Sequence, residues 1–158
     1  MKIYFKYLQY IIKHKWFVLI ECFKKRLYWQ GIVHDLNKFK PSSFLPYARY
    51  FGGNILKGRD KTGYYKPYDT EDADFDMAVF HHVQSNKHHW QYWVKPKDKK
   101  GYILLEIPEK YVKEMICDWK GAGKAQGALD MHGWYIKNRR KLQLHPNTRK
   151  LVEFLLEE

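Results

Sequence analysis

The chain of 158 residues is 45% hydrophobic and 18% aromatic, so its composition excludes an intrinsically disordered polypeptide and suits one domain with a single core. Its formal charge of +12 favours a polyanionic partner or substrate, such as a nucleotide, another phosphate ester or a nucleic acid. We therefore predict a single domain over residues 1–158. No sequence pattern indicates the oligomeric state.

Residues 3 to about 28 carry apolar side chains at three- and four-residue steps with lysines between them, which predicts an amphipathic helix. The lysines interrupt the apolar stretch and no small-residue cleavage site follows it, so we predict no cleavable signal peptide. The run from Trp16 to Phe23 is too short to cross a bilayer and contains Glu21. These features favour a soluble, cytoplasmic protein without a membrane partner.

His14 lies on one stripe of this helix with Val18 and Glu21. Its imidazole either faces a polar cavity or faces solvent from a basic helix, and this segment alone favours neither. Cys22 and Cys117 lie far apart in apolar helical contexts. We interpret both as buried thiols, because they lack the close pairing of a zinc site and the density of a disulfide scaffold.

Gly31 predicts an interruption of the helical structure, followed by a short helix from Ile32 to Lys38. A helix from Phe44 to Phe51 comes next, with the two serines after Pro41 as capping residues and a glycine pair at its end. Residues 52–70 are rich in glycine, proline, lysine and tyrosine without a period, which predicts a basic loop.

Acidic residues between positions 71 and 76 predict the start of another helix, because negative charge there complements the helix dipole. Four histidines follow within nine positions, at 81, 82, 88 and 89. In a continuous helix His82 and His89 would lie about 10.5 Å apart along the axis, too far for one ion. Either the helix breaks near Asn86 or these histidines serve different centres.

Residues 93–107 consist of two apolar arms joined by a charged turn that contains glycine, which predicts a small β-hairpin. A helix is expected to start at Pro108 and to end at Gly121 and Gly123. Two more helices are expected, from about Leu129 to Lys141 and from Pro146 to the end of the chain. The predicted fold class is therefore mainly α with one small β-hairpin.

The stretch from Val33 to Phe39 carries an adjacent imidazole and carboxylate, His34 and Asp35, followed by Lys38. A neutral histidine and an ionised aspartate can ligate the same divalent cation, and the lysine can face a phosphate that the cation polarises. On its own, the pair fits a helix-end cap beside a surface histidine better than it fits a metal site. Other residues must therefore support the metal interpretation.

The order of candidate ligands along the chain resembles the HD-domain superfamily of metal-dependent phosphohydrolases, over roughly residues 10 to 120. The resemblance implies a single HD-like helical bundle whose core holds a metal ion. More narrowly, the segments 34–39, 86–93 and 114–119 resemble a functionally unassigned family of small bacterial and phage proteins. The implied ligands are His14, His34, Asp35 and Asp118.

With such mixed ligands, manganese, iron, zinc, cobalt and nickel all fit, as one ion or two. Asp35 would bridge to a second ion if His82 and one of His88 or His89 complete another half-site. The alternative role for His82, His88 and His89 is to bind phosphate. The expected activity is hydrolysis of a phosphomonoester or phosphodiester, in a nucleotide, cyclic nucleotide or related compound, by metal-activated water. The predicted catalytic residues are Asp35 and Lys38. The predicted substrate-binding residues are Lys38, Lys120, Lys124 and Arg149.

Two other functions stay open. A non-catalytic protein that binds nucleic acid would use its positive charge and interleaved aromatic residues, although their helical spacing is more typical of a core. A structural metal site normally fills four positions and often uses cysteine, and neither cysteine lies near the histidines in sequence. The aromatic residues in question are Tyr64, Tyr65, Trp90, Tyr92 and Trp93.

The sequence also allows predictions of the roles of three further polar residues. Glu114 is a ligand, a support for a ligand or a surface charge. His132 is expected on the surface. His145, which precedes Pro146, is expected to start a helix rather than to act in catalysis.

Overall fold

The computed structural model describes residues 1–65, 70–128 and 130–157. Within these ranges the chain forms α-helices and one small antiparallel sheet, which confirms the mainly α class with a β-hairpin. Short 3₁₀ turns cover Leu36–Phe39 and Trp90–Trp93. The helices are α1 (Lys2–Lys24), α2 (Tyr28–Val33), α3 (Pro41–Phe51), α4 (Ala73–Ser85), α5 (Glu109–Gln126), α6 (Met131–Asn138) and α7 (Pro146–Glu157), and the strands are β1 (Val94–Pro96) and β2 (Tyr102–Leu104).

Two large groups of buried side chains form the core. The first joins the N-terminal half of α1 to α3 and α4, and Tyr50 and Phe75 stack within it at 3.8 Å. The second joins α5, α6 and α7 and includes Tyr135 and Val152. Between the two, Val18 and Cys22 of α1 pack against Cys117 of α5. The middle of α1 therefore links the two parts of the core, and His14 lies there.

Both cysteines are buried free thiols, as predicted. None of the helices in the described ranges is long and apolar enough to cross a membrane.

The prediction of a break at Gly31 is wrong, because Gly31 lies inside α2 and is buried. A Cβ atom at this position would lie 2.9 Å from Cβ of Cys22, so only glycine lets α2 approach α1 this closely. The predicted helix from Ile32 to Lys38 is also wrong. The α-helix ends at Val33, Asp35 adopts a left-handed conformation with φ of 55°, and a separate 3₁₀ turn covers Leu36–Phe39.

The third helix begins earlier than predicted. Pro41 occupies its first turn, where a residue without an amide hydrogen is tolerated, so the two serines lie inside the helix instead of capping it. Its end at Gly52, with φ of 55°, agrees with the prediction. The helix α4 begins as the acidic residues indicate, and the Phe75 amide donates to the Asp72 carboxylate at 3.0 Å.

The hairpin forms where it was predicted, and Val94 lies opposite Leu104. The prediction that the next helix ends at Gly121 and Gly123 is wrong, because α5 continues to Gln126. Gly121 is a contact position: a Cβ atom there would lie 2.4 Å from Cγ2 of Val18. Close packing of α1 on α5 therefore explains this glycine.

The last two helices follow the predictions closely. The predicted start of the sixth helix at Leu129 lies outside the described residues. The described helix begins at Met131, and Asp130 accepts a hydrogen bond from the Gly133 amide at 2.7 Å. The seventh helix begins at Pro146, as predicted.

Candidate metal centre

The end of α2 places His34 and Asp35 in the interior, where they are only 1% and 2% exposed. Lys15 of α1 donates to the carbonyl oxygens of Ile32 at 2.7 Å and of His34 at 2.9 Å. These bonds satisfy carbonyl groups that the end of a helix leaves without partners. The left-handed backbone of Asp35 then starts a 3₁₀ turn that carries Lys38. The segment from His34 to Lys38 therefore forms a tight turn that hydrogen bonds from Lys15 hold against α1.

Four side chains from three parts of the fold meet at this turn. His14 of α1 and His34 each direct Nε2 at the carboxylates of Asp35 and of Asp118 on α5. The nitrogen to oxygen distances run from 3.2 to 3.5 Å. The structure thus brings together the four residues that the sequence predicted as ligands, His14, His34, Asp35 and Asp118.

The spacing of these atoms fits a transition-metal ion. Ligands bound at about 2.0 to 2.1 Å in tetrahedral geometry lie about 3.3 Å from one another. Moreover, Nε2 of His14 and Nε2 of His34 are buried and make no hydrogen bond within the described part of the chain. Buried polar atoms without partners are costly, and a bound cation removes that cost. The group is therefore able to hold a metal ion.

A second group forms on the other oxygen of Asp35. Its Oδ1 lies 3.4 Å from Nε2 of His82 and 3.3 Å from Nε2 of His88. His89 joins the group, with Nε2 at 2.8 Å from that of His82. The helix α4 ends at Ser85 and Asn86 is extended, so of the two alternatives the structure shows the break near Asn86. Asp35 is shared by both groups, one oxygen facing each.

Supporting side chains fix the orientation of the imidazole rings. Oε1 of Glu114 lies 3.1 Å from Nδ1 of His34 and 3.2 Å from Nδ1 of His88. If each Nδ1–H donates to this carboxylate, both Nε2 atoms keep their lone pairs for an ion. Asn37 serves His82 in the same way, with Oδ1 at 3.0 Å from Nδ1. Glu114 is buried and is therefore not a surface charge. These contacts suit a support for the histidines, and the same carboxylate also lies close enough to both rings to be a ligand itself.

Charge compensation in the cluster shifts several pKa values. Burial would raise the pKa of Asp35, but the nearby His34 and Lys38 hold it well below its usual range. Burial would lower the pKa of His88, yet its contacts with Asp35 and Glu114 raise it to about 10. For His82, burial dominates and lowers the pKa to about 3. The centre without an ion therefore combines ionised carboxylates with both charged and neutral imidazoles.

Replacing Glu114 with glutamine should weaken metal binding by about 10- to 100-fold, because the amide neither carries the charge nor accepts two N–H bonds equally well. Metal titration followed by elemental analysis measures this change. Glu109→Gln is the control, since Glu109 lies on the same helix but its side chain is 60% exposed. Equal affinities for both variants would show that Glu114 does not orient the rings.

A cavity of about 990 Å³ opens onto this centre, and His14, His82, His88, His89 and Asp118 line it. This volume is typical of pockets for small ligands. Three predicted substrate-binding lysines also line the cavity: Lys38, Lys120 and Lys124.

The predicted cationic groups differ in their surroundings. Lys38 Nζ lies 2.5 Å from Oδ2 of Asp35. Lys124 is paired with Glu21 at 2.6 Å, so its charge is already compensated. Arg149 does not line the cavity, and its guanidinium donates to the carbonyl oxygens of Arg139 and Leu142. Lys38 is compensated in the same way by Asp35, so it meets an anionic ligand only by turning from that carboxylate, and Lys120 is another predicted lysine on the cavity wall.

Among the described residues, His132 and His145 belong to none of the candidate ligand groups. His132 is exposed, and His145 precedes α7, where its Nδ1 accepts a hydrogen bond from the Asn147 amide at 3.2 Å. Four of the five interleaved aromatic residues, Tyr64, Tyr65, Trp90 and Trp93, pack against the two core groups. This packing favours the core interpretation of these aromatic residues over a stacking surface for nucleic acid.

Comparison with known protein families assigns the chain. The model of a family of unknown function (DUF5662) matches residues 4–158, so the protein belongs to this family. No curated protein and no solved structure matches the chain.

Proposed function

We propose that this member of the DUF5662 family is a divalent-metal-dependent phosphohydrolase that acts on a nucleotide, a cyclic nucleotide or a related phosphate ester. One observation carries the proposal: the two oxygens of Asp35 face two separate groups of imidazole nitrogens. A carboxylate between two such groups is suited to bridging two ions. We also propose kinship with HD-domain phosphohydrolases, which the convergence of the four predicted ligands supports.

The donor set suits manganese, iron, cobalt, nickel or zinc, because it mixes imidazole nitrogen with carboxylate oxygen and contains no thiolate. A structural zinc site is less well supported, since Asp35 also faces the second group and the cluster borders a large cavity. Ions bound there would supply Lewis acidity toward a phosphoryl oxygen and a water molecule of lowered pKa.

The chain's own residues supply binding and orientation. Lys38 lies beside Asp35 at the cavity wall, where its ammonium group can turn to a substrate phosphate. Burial would lower the pKa of Lys38, but Asp35 and Asp118 raise it, so the group stays cationic. Lys120 adds a second positive charge on the same wall. Glu114 and Asn37 keep the imidazoles aimed at the ligand atoms.

The function is tested by assaying the purified protein with each of these metals on para-nitrophenyl phosphate, its bis ester, and nucleoside monophosphates and cyclic phosphates. Lys38→Met should lower kcat/KM on the order of 10- to 100-fold, because a charge-assisted contact to phosphate is lost. Its metal content should not fall. Lys40→Met is the control, since Lys40 is an exposed lysine two residues away.

The proposal is supported if hydrolysis by the wild-type protein depends on added metal, and if kcat/KM falls in Lys38→Met but not in Lys40→Met. A metal-loaded wild-type protein that hydrolyses none of these esters would contradict it.

A further inference from the structure

The second helix is oriented opposite to the usual pattern of a surface helix. Its buried residue is Gly31, while Tyr28, Trp29 and Ile32 are 54%, 70% and 49% exposed. A surface helix normally turns its large apolar side chains toward the core. Here close packing on α1 uses the glycine, and the large side chains point outward.

The first helix continues this apolar surface. Phe5, Ile12, Trp16 and Phe23 follow one another at steps of seven, four and seven residues, so they share one face of α1. They are 61%, 53%, 60% and 44% exposed. The opposite face of α1 is buried in the core, so this helix is apolar on both sides. The rings of Phe23 and Tyr28 meet edge to face at 5.1 Å and join the two surfaces.

We call this surface the outer face. Large apolar side chains that are exposed together on one surface are characteristic of an interaction site. Its members are Phe5, Ile12, Trp16, Phe23, Tyr28, Trp29 and Ile32.

Every exposed charge in this part of the chain is positive. Residues 1–34 contain seven lysines and arginines and a single acidic residue, Glu21. Glu21 is buried and is bound by Lys24 at 2.9 Å and by Lys124 at 2.6 Å. At the helical repeat, a row of exposed lysines runs along one flank of the outer face. These are Lys2, Lys6, Lys13 and Lys24.

We propose that the outer face docks on the surface of an anionic phospholipid bilayer, with α1 lying in the plane of the interface. Aromatic side chains beside a row of lysines match the apolar and the anionic layers of such a surface. A second copy of the chain is a poorer occupant, because residues 1–34 offer no exposed acidic group to the lysines. The proposal is independent of the hydrolase function.

This proposal differs from the expectation of no membrane partner, which considered a helix that crosses the bilayer. A helix that lies in the interface needs no such apolar length. It needs one apolar face and neighbouring positive charge, and α1 has both.

Sedimentation with vesicles tests the proposal, using equal parts of phosphatidylglycerol and phosphatidylcholine, against vesicles of phosphatidylcholine alone. The wild-type protein should bind the anionic vesicles, and added salt should weaken binding. Phe5→Ser with Ile12→Ser should reduce partitioning on the order of tenfold or more. The matched control is Phe154→Ser with Ile136→Ser, whose side chains are 59% and 48% exposed on other helices.

The lysines have their own matched pair of variants. Glutamine at Lys2, Lys6 and Lys13 should weaken binding about fivefold for each lysine. Glutamine at the exposed hairpin lysines 97, 99 and 100 gives the same net charge and should have little effect.

No binding to anionic vesicles, or equal losses in the matched variants, would overturn the proposal. Dimerisation in analytical ultracentrifugation that Phe5→Ser with Ile12→Ser abolishes, without vesicle binding, would overturn it in favour of an interface between copies. All these positions are exposed, so melting curves should stay close to that of the wild-type protein.

Discussion

Replacing Asp35 with asparagine should abolish metal binding by both proposed ligand groups and lower any hydrolysis on the order of a thousandfold. Among the residues that the structure describes, Asp35 is the one that belongs to both the His14 group and the His82 group. An amide loses the negative charge and offers one oxygen in place of two. Asparagine is preferred to alanine here, because Asp35 has φ of 55° and asparagine tolerates that backbone conformation. Elemental analysis of the purified variant gives the metal content directly.

Single-group variants make this result interpretable. Asp118→Asn touches the first group alone, and His82→Gln touches the second alone. If the wild-type protein holds about two ions, each of these variants should keep about one. His81→Ala is the matched control, since His81 is the neighbour of His82 but its side chain is exposed. It should retain the full metal content.

The stability of Asp35→Asn provides a second measurement, because Asp35 balances buried positive charge. Asp35 compensates Lys38 and the protonated His88, so Asp35→Asn leaves buried positive charge without a partner and should lower stability. Melting curves of each variant with and without a chelator separate this effect from loss of metal. Should Asp35→Asn fail to fold, the comparison of Asp118→Asn with His82→Gln still decides whether two groups exist. Full metal content in folded Asp35→Asn would contradict the shared role.

The first group was predicted through the order of its ligands along the chain, because His14, the His34-Asp35 pair and Asp118 follow the pattern that the resemblance to the HD-domain superfamily implies. The second group was predicted only as one of two alternatives, since it depends on where α4 ends. Asn86 ends it: its side-chain amide donates to the carbonyl of His82 at 2.7 Å, in competition with further helix. Whether this side-chain hydrogen bond or a continued helix forms depends on tertiary contacts, which the periodicity of the sequence does not reveal.

The structural role of glycine was the hardest to predict from the sequence. A helical pattern followed by glycine usually indicates an end, and this rule held for Gly52. It failed for Gly31 and Gly121, where the missing Cβ atom lets another helix approach. A glycine that ends a helix and a glycine at a helix contact differ in whether another helix packs against the position. A single sequence does not show which helices pack together.

Gly121→Ala should therefore destabilise the protein, although glycine to alanine inside a helix ordinarily gains about 1 kcal/mol. The new Cβ atom would lie 2.4 Å from Cγ2 of Val18 and 2.9 Å from its amide nitrogen. Relief requires α1 and α5 to separate, at a cost of about 2 to 3 kcal/mol. For a chain of this length that corresponds to a fall in Tm of roughly 5 to 10 °C.

The same displacement should reach the metal centre. His14 lies one turn before Val18 on α1, and Asp118 lies three residues before Gly121 on α5. The 3.2 Å distance between His14 Nε2 and Asp118 Oδ1 thus depends on the close approach of the two helices. Gly121→Ala should weaken binding of the first ion while the His82 group keeps its own. Metal titration of the variant measures both affinities.

A double-mutant cycle with Val18→Ala tests the cause. Removing Cγ2 of Val18 takes away the nearest of the three contacts, so adding Gly121→Ala in that background should cost about 1 kcal/mol less than in the wild-type background. The backbone atoms of Val18 at 2.9 and 3.1 Å stay in place, so rescue should be partial. Stabilisation by Gly121→Ala alone would show that α1 and α5 are not packed this closely. The geometry of the first ligand group would then need another origin.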